Sequence, residues 1–265
     1  KYMKHLIAMI VLVVAAGAII AKGLYQQKMA EVTMEYERQQ AQKNRTNPPP
    51  NINNTEQGTD PFGLFGPEEM VYEVTFTTEW SAESHEDYYI STAHFSAPVI
   101  WVGPNNPVFT LGSTAGAGIE EVAEEGRTRK IKQELENLES AGDILSFQIH
   151  NSRVITPSEI SFEVTVNRDN PVVSLVSMIA PSPDWFVALE GLNMLSEGRW
   201  KKTAETQLLT LDAGTEEGEA FEIANLSTQP QQFIDTLTDI PSQQLPPFAT
   251  VTFRQLGYGE EDQAQ

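Results

Sequence analysis

The sequence predicts a mostly β protein, an antiparallel β-sandwich with one or two short helices, preceded by a single N-terminal transmembrane helix. Three observations carry that expectation. From Val71 onward, short β-branched and aromatic segments recur between Gly, Pro, Asn and Asp turns. One stretch, Ile119–Ser140, changes to helical periodicity. At the other end of the chain, Leu6–Ala21 is an unbroken run of apolar and small residues.

Taken in order, the apolar run LIAMIVLVVAAGAIIA continues past Lys22 through Gly23-Leu24-Tyr25. With Lys22 snorkelling, it reaches the roughly 20 residues that a bilayer span requires. Lys1, Lys4 and His5 precede it, which favours a cytoplasmic N-terminus. Residues 1–25 are therefore expected to form an uncleaved signal-anchor, with the C-terminal domain periplasmic or extracellular. The competing reading is a cleaved signal peptide with Ala16-Gly17-Ala18 as the processing site. The helical pattern that runs on beyond residue 25 argues against cleavage. Residues 26–43 are polar and rich in helix formers, and Met29, Val32 and Tyr36 fall at i, i+3 and i+7, so a helical stalk is expected there. Residues 44–69, with Pro48-Pro49-Pro50 and then Gly58, Pro61, Gly63, Gly66 and Pro67, form a linker.

The sandwich domain is expected over residues 70–256. Strands are predicted at Val71–Thr77, Ile144–His150, Ile160–Val166, Val172–Ile179, Trp185–Leu189, Phe221–Ala224 and Ala249–Phe253. Helical patterns cover Ile119–Gly126 and Arg129–Ser140. In the second, Ile131, Leu135 and Leu138 form one apolar face and Gly142 offers a C-terminal stop. Ile100-Trp101-Val102-Gly103-Pro104-Asn105-Asn106-Pro107 reads as a turn-rich loop, with Trp101 either core or an exposed partner anchor. Residues 257–265 form an acidic tail.

Composition narrows the function classes. The 265 residues carry 37 acidic and 17 basic side chains, a net charge of −20, which repels a phosphate backbone and argues against nucleic acid. There is no cysteine, which removes thiol catalysis, disulfides and thiolate metal sites. The four histidines, His5, His85, His94 and His150, include no pair at i, i+4, so no histidine zinc site is signalled. Ser113 in Gly112-Ser113-Thr114-Ala115-Gly116 does not sit as a nucleophile elbow requires. A hydrolase built on His94 or Ser113 is the most distant of the functional readings, and no small-molecule substrate is expected.

Acidic residues form the more informative pattern. In Pro181-Ser182-Pro183-Asp184-Trp185 the two prolines restrict the backbone that leads into one carboxylate. In Leu211-Asp212-Ala213-Gly214-Thr215-Glu216-Glu217-Gly218 the glycines let the chain curl and present carbonyl oxygens beside the carboxylates. Should the two loops meet, they make a cage of hard oxygens suited to Ca²⁺. Spacing alone equally permits Asp184 as a turn cap and the glutamates as a solvated loop.

Met178-Ile179-Ala180-Pro181-Ser182-Pro183-Asp184-Trp185-Phe186 and Leu211-Asp212-Ala213-Gly214-Thr215 resemble the spondin-type domain of extracellular matrix proteins and their bacterial relatives. Tyr72-Glu73-Val74-Thr75-Phe76 with Trp80-Ser81, Ala93-His94-Phe95-Ser96, and the stretch from Gly112 to Gly126 fit the same family in order. The resemblance implies a sandwich similar in topology to calcium-dependent lipid-binding modules, acting as an interaction domain and not as an enzyme. It implies Ca²⁺ ligands at Asp184, Asp212 and Glu216. An aspartate is usual at the last position, so Glu217 is the alternative there. The functional expectation is a membrane-anchored, extracytoplasmic, calcium-binding module of adhesion type whose partners are other membrane or envelope proteins. The alternative is an accessory subunit that caps the outer face of a larger membrane complex.

Overall fold

The structure, a computed structural model, describes residues 66–218, 220–221, 226–237 and 245–256. The predicted anchor (1–25), stalk (26–43), linker up to residue 65 and tail (257–265) lie outside the described residues. Among those described, no helix is long and apolar enough to cross a membrane.

In chain order the elements are β1 (Glu69–Thr78), β2 (His94–Phe95), β3 (Val99–Gly103), α1 (Ala117–Glu125), α2 (Arg129–Ala141), β4 (Ser146–Ile149), β5 (Val154–Ile155) and β6 (Ser158–Asn167). Then follow β7 (Val172–Ala180), β8 (Trp185–Asn193), β9 (Leu195–Ser196), β10 (Arg199–Trp200), β11 (Thr203–Gln207), β12 (Leu209–Asp212), β13 (Asp235–Thr236) and β14 (Ala249–Gln255). All strand pairs are antiparallel. One sheet has the order β11-β14-β1-β6, and the larger one runs β13-β12-β8-β7-β2-β5, with β3 joining β7 to β4. Two short strands share an edge of β7: β3 pairs along Val172–Val176 and β2 along Ile179–Ala180.

The layers explain two kinds of strand sequence. β1 alternates, with Met70, Tyr72, Val74 and Phe76 buried and its other face turned outward. β7 does not alternate: from Val173 to Ala180 every residue is buried, because the larger sheet is covered on both faces. One face packs on the first sheet through Phe76, Trp80, Phe95, Trp185, Phe248 and Phe253. The other packs on the helix pair through Trp101, Ile119, Val122, Ile131, Leu135 and Phe186. Burying such aromatic and aliphatic side chains contributes about 1.5–3 kcal/mol each, so the two cores dominate stability.

The helices complete each other's ends. The Gly118 N–H at the start of α1 donates to Glu134 Oε1 of α2 at 2.8 Å. In return, buried Glu121 of α1 accepts from the Lys130 N–H of α2 at 2.5 Å and from Arg129 Nη2 at 2.9 Å. Each carboxylate thus satisfies an orphan donor of the partner's first turn, where the helix dipole favours negative charge. Gly126 and the predicted stop Gly142 end the helices in the left-handed region, at φ +64° and +81°.

Three expectations are corrected. Ile100–Gly103 belongs to β3 and not to a loop, and Trp101 is fully buried against Phe109 (6.3 Å, edge-on). Leu211 and Asp212 end a strand, β12, where the sequence suggested a loop. Phe221 lies in a bend, not a strand, and packs on Trp80 and Trp185 at 4.6 and 5.1 Å; residues 222–224 lie outside the described residues.

Candidate functional site

Strand register brings the two acidic loops together. β8 begins at Trp185 and β12 ends at Asp212, and these two residues are cross-strand partners. One step beyond that pair, the Ala213 N–H donates to the Asp184 carbonyl at 3.1 Å. The turn between β7 and β8 and the loop after β12 must therefore meet at one end of the central sheet.

The two aspartates shape the backbone around them. Asp184 is fully buried, and its Oδ2 accepts from the Thr215 N–H (2.7 Å), the Glu216 N–H (3.0 Å) and the Thr215 hydroxyl (3.2 Å). It clamps the acidic loop by charge-assisted bonds to two backbone donors. Ser182 fixes the turn that carries Asp184, donating to the Ile179 carbonyl (2.6 Å) and accepting from the Trp185 N–H (3.2 Å). Asp212 Oδ1 accepts from the Gly214 N–H at 2.7 Å, which bends the chain back. Gly214 has φ +71°, and a Cβ there would lie 2.7 Å from the Gln232 carbonyl carbon, so only glycine fits.

The loop is laced to the segment that returns from it. Glu217 N–H donates to the Leu226 carbonyl (2.7 Å), Thr228 N–H to that of Thr215 (2.8 Å) and Gln232 N–H to that of Gly214 (2.8 Å). Between them lies a cavity of about 430 Å³ lined by Asp212, Glu216, Glu217 and Asp235, with Thr228 and Phe233. Its described lining contains no lysine, arginine or histidine. Asp184 does not line it. As placed, the described residues include no group of three or more histidine or acidic side chains that could hold a metal.

Two carboxylates beside the site had no sequence signal. Asp235 reaches the cavity because β13 pairs with β12, which sets it opposite Asp212. Glu124 comes from the last turn of α1. Burial pushes its carboxyl up from the ordinary range, a hydrogen bond with Thr215 partly offsets this, and Glu120, Asp184 and Glu125 add repulsion. His94 and Ser113 do not form a nucleophile–base pair: the His94 Nδ1 bonds to the Thr92 carbonyl (2.8 Å), and the Ser113 hydroxyl donates to that of Thr110 (2.7 Å).

Residues 70–257 match the family model described as Spondin_N. Spondin-2 of Rattus norvegicus is 32% identical over 212 residues, covering 70% of this chain and 61% of that protein. Spondin-2 of Homo sapiens is 31% identical over the same length. Spondin-1 of Rattus norvegicus is 31% identical over 186 residues, 66% of this chain and 23% of that protein. The chain thus spans less than two thirds of spondin-2 and under a quarter of spondin-1. Because the matched span coincides with the domain from β1 to β14, the chain belongs to the spondin N-terminal domain family.

Proposed function

We propose that this domain is a non-catalytic, calcium-binding interaction module of adhesion type, displayed outside the cytoplasm by the N-terminal anchor. The observation that carries the reading is the cavity edged by Asp212, Glu216, Glu217 and Asp235, with no base in its described lining, built where register brings two loops together. Its donors are all oxygens, the chemistry that Ca²⁺ prefers. Asp212 and Glu216 would hold the ion in that cavity, with Glu217 as the alternative to Glu216 and Asp235 as a further carboxylate. Asp184, the third expected ligand, does not line the cavity and would have to complete the set from the loop that it clamps. A bound cation supplies charge compensation where acidic side chains otherwise repel one another. The chain's own part is to fix the loops: Asp184 clamps residues 215–216, Asp212 turns residue 214, and the 226–232 segment closes the other side. Family membership favours an interaction surface over an active site, and His94 and Ser113 bond to backbone carbonyls and not to each other. On this reading the partners are other membrane or envelope proteins.

The test is thermal unfolding of the full chain in mild detergent, first in EDTA and then with added Ca²⁺. At a hundredfold excess over Kd, one ion adds about 2.7 kcal/mol. For a domain of this size that raises Tm by roughly 5–10 °C. Asp212→Asn and Glu216→Gln should each shrink the rise. No response to Ca²⁺ would refute the site, and full responses in both variants would place it elsewhere.

A further inference from the structure

A second cavity, of about 410 Å³, opens between the end of α1 and the β2–β5 side of the larger sheet. No sequence pattern pointed to it. Met178, Ala180 and Pro181 give it apolar walls, and five polar side chains line it. They are Ser96, which accepts from the Met178 N–H at 2.9 Å, Glu125, and three from separate elements: Glu124 from α1, His94 from β2, and Arg153 from the residue before β5. This size and mixture are those of a small-molecule site.

Two of the three groups sit on packed elements, and Arg153 is exposed at the rim. His94 is paired with both Ala180 of β7 and Ile155 of β5, so its position is set by the sheet. Gly126, two residues after Glu124, sits so close to the sheet that a Cβ there would come 3.1 Å from Ser96 Cβ and 3.4 Å from Met178 Sδ. Groups placed by rigid elements are preorganised for a ligand. Their chemistry is also defined. A carbonyl only accepts, so the His94 Nδ1 that bonds to the Thr92 carbonyl carries the proton, and Nε2 is the ring nitrogen left for a ligand. Glu125 also lines the cavity but is paired with Arg127. Arg153 has no carboxylate partner among the described residues. What remains is the Glu124 carboxylate, which also bonds to Thr215, the His94 Nε2 in the same cavity, one guanidinium, and an apolar wall.

We propose that this cavity binds an apolar α-amino acid as its zwitterion. The ammonium group is taken by Glu124 and the His94 Nε2, the carboxylate by Arg153, and the hydrocarbon side chain lies on Met178, Ala180 and Pro181. A ligand with only an ammonium leaves Arg153 unmatched, and one with only a carboxylate leaves Glu124 unmatched. None of Asp184, Asp212 and Glu216 lines this cavity, so the proposal does not depend on the calcium reading.

Calorimetric titration of the full chain with L-leucine tests it, with leucine amide and N-acetyl-leucine as one-charge analogues of the same body. L-leucine should saturate, and each analogue should bind at least about tenfold more weakly, the effect of one lost charge-assisted contact. Arg153→Gln should weaken leucine about tenfold and erase its advantage over leucine amide. Glu124→Gln should erase the advantage over N-acetyl-leucine. Arg153 is exposed, so its substitution leaves the fold intact and keeps the test decisive even if Glu124→Gln disturbs the Thr215 contact. No saturation by L-leucine up to about 10 mM overturns the proposal. So does equal affinity for leucine and leucine amide, or unchanged affinity in Arg153→Gln.

Discussion

Asp184 is predicted to stabilise the fold whether or not a metal is bound, and Asp184→Ala separates that role from ligation. The carboxylate is fully buried, and its Oδ2 accepts from two backbone N–H groups at 2.7 and 3.0 Å and from the Thr215 hydroxyl at 3.2 Å. Alanine leaves those donors without their acceptor in a site where water does not readily replace it. Hydrogen bonds to a charged group are worth about 1.5–3 kcal/mol each, so losing the two backbone bonds should cost about 3–6 kcal/mol. In a domain of this size, that is a fall in Tm of roughly 6–24 °C. Asp184→Asn keeps an oxygen acceptor of the same shape but not its charge, so its loss should be about half as large. The assay is thermal unfolding by circular dichroism in excess EDTA, so that no divalent ion contributes to either curve. If Asp184→Ala melts within about 2 °C of the parent chain in EDTA, the clamp contributes nothing measurable and the reasoning fails.

Two further outcomes follow from the packing and the buried groups. Gly118→Ala places a Cβ 2.8 Å from Ile131 Cα and against the Glu134 carboxylate, so it should destabilise the helix pair by about 1–3 kcal/mol, measured as a lower urea midpoint at unchanged slope; an unchanged midpoint would contradict the close approach. Burial lowers the His85 imidazole below its usual range, against the upward pull of the Pro246 carbonyl and Glu79. A base depressed in the folded state takes its proton more readily when unfolded, so its stability contribution is complete above about pH 6.5 and is lost as pH falls from there. His85→Gln should therefore flatten the decline in Tm between about pH 6.5 and 5, and a slope identical to that of the parent chain would rule the role out.

How much of this was legible depends on which physical signal each element carries. β1 and β6 have one face on a core and one in solvent, so their alternation is written in the sequence. The apolar stripe of α2 and its terminal glycine were equally plain, since Ile131 and Leu135 are fully buried and Gly142 is left-handed. β3 was hidden because Val99–Gly103 is buried throughout and is followed at once by a Pro-Asn-Asn-Pro turn, so neither alternation nor length marked it. Asp212 looked like part of a loop because its strand, β12, is only four residues long.

By itself, the sequence determined the antiparallel class, the acidic character of the two loops and the family, because these depend on local periodicity, residue type and the order of motifs. The tertiary structure alone decided that Trp185 pairs with Asp212, that Asp235 and Glu124 come beside the same loop, and that His94, Glu124 and Arg153 share one cavity. The reason is that strand order and helix packing join residues from distant parts of the chain. A side chain placed by its partner strand, as Asp235 is by β12, leaves no mark in the residues on either side of it.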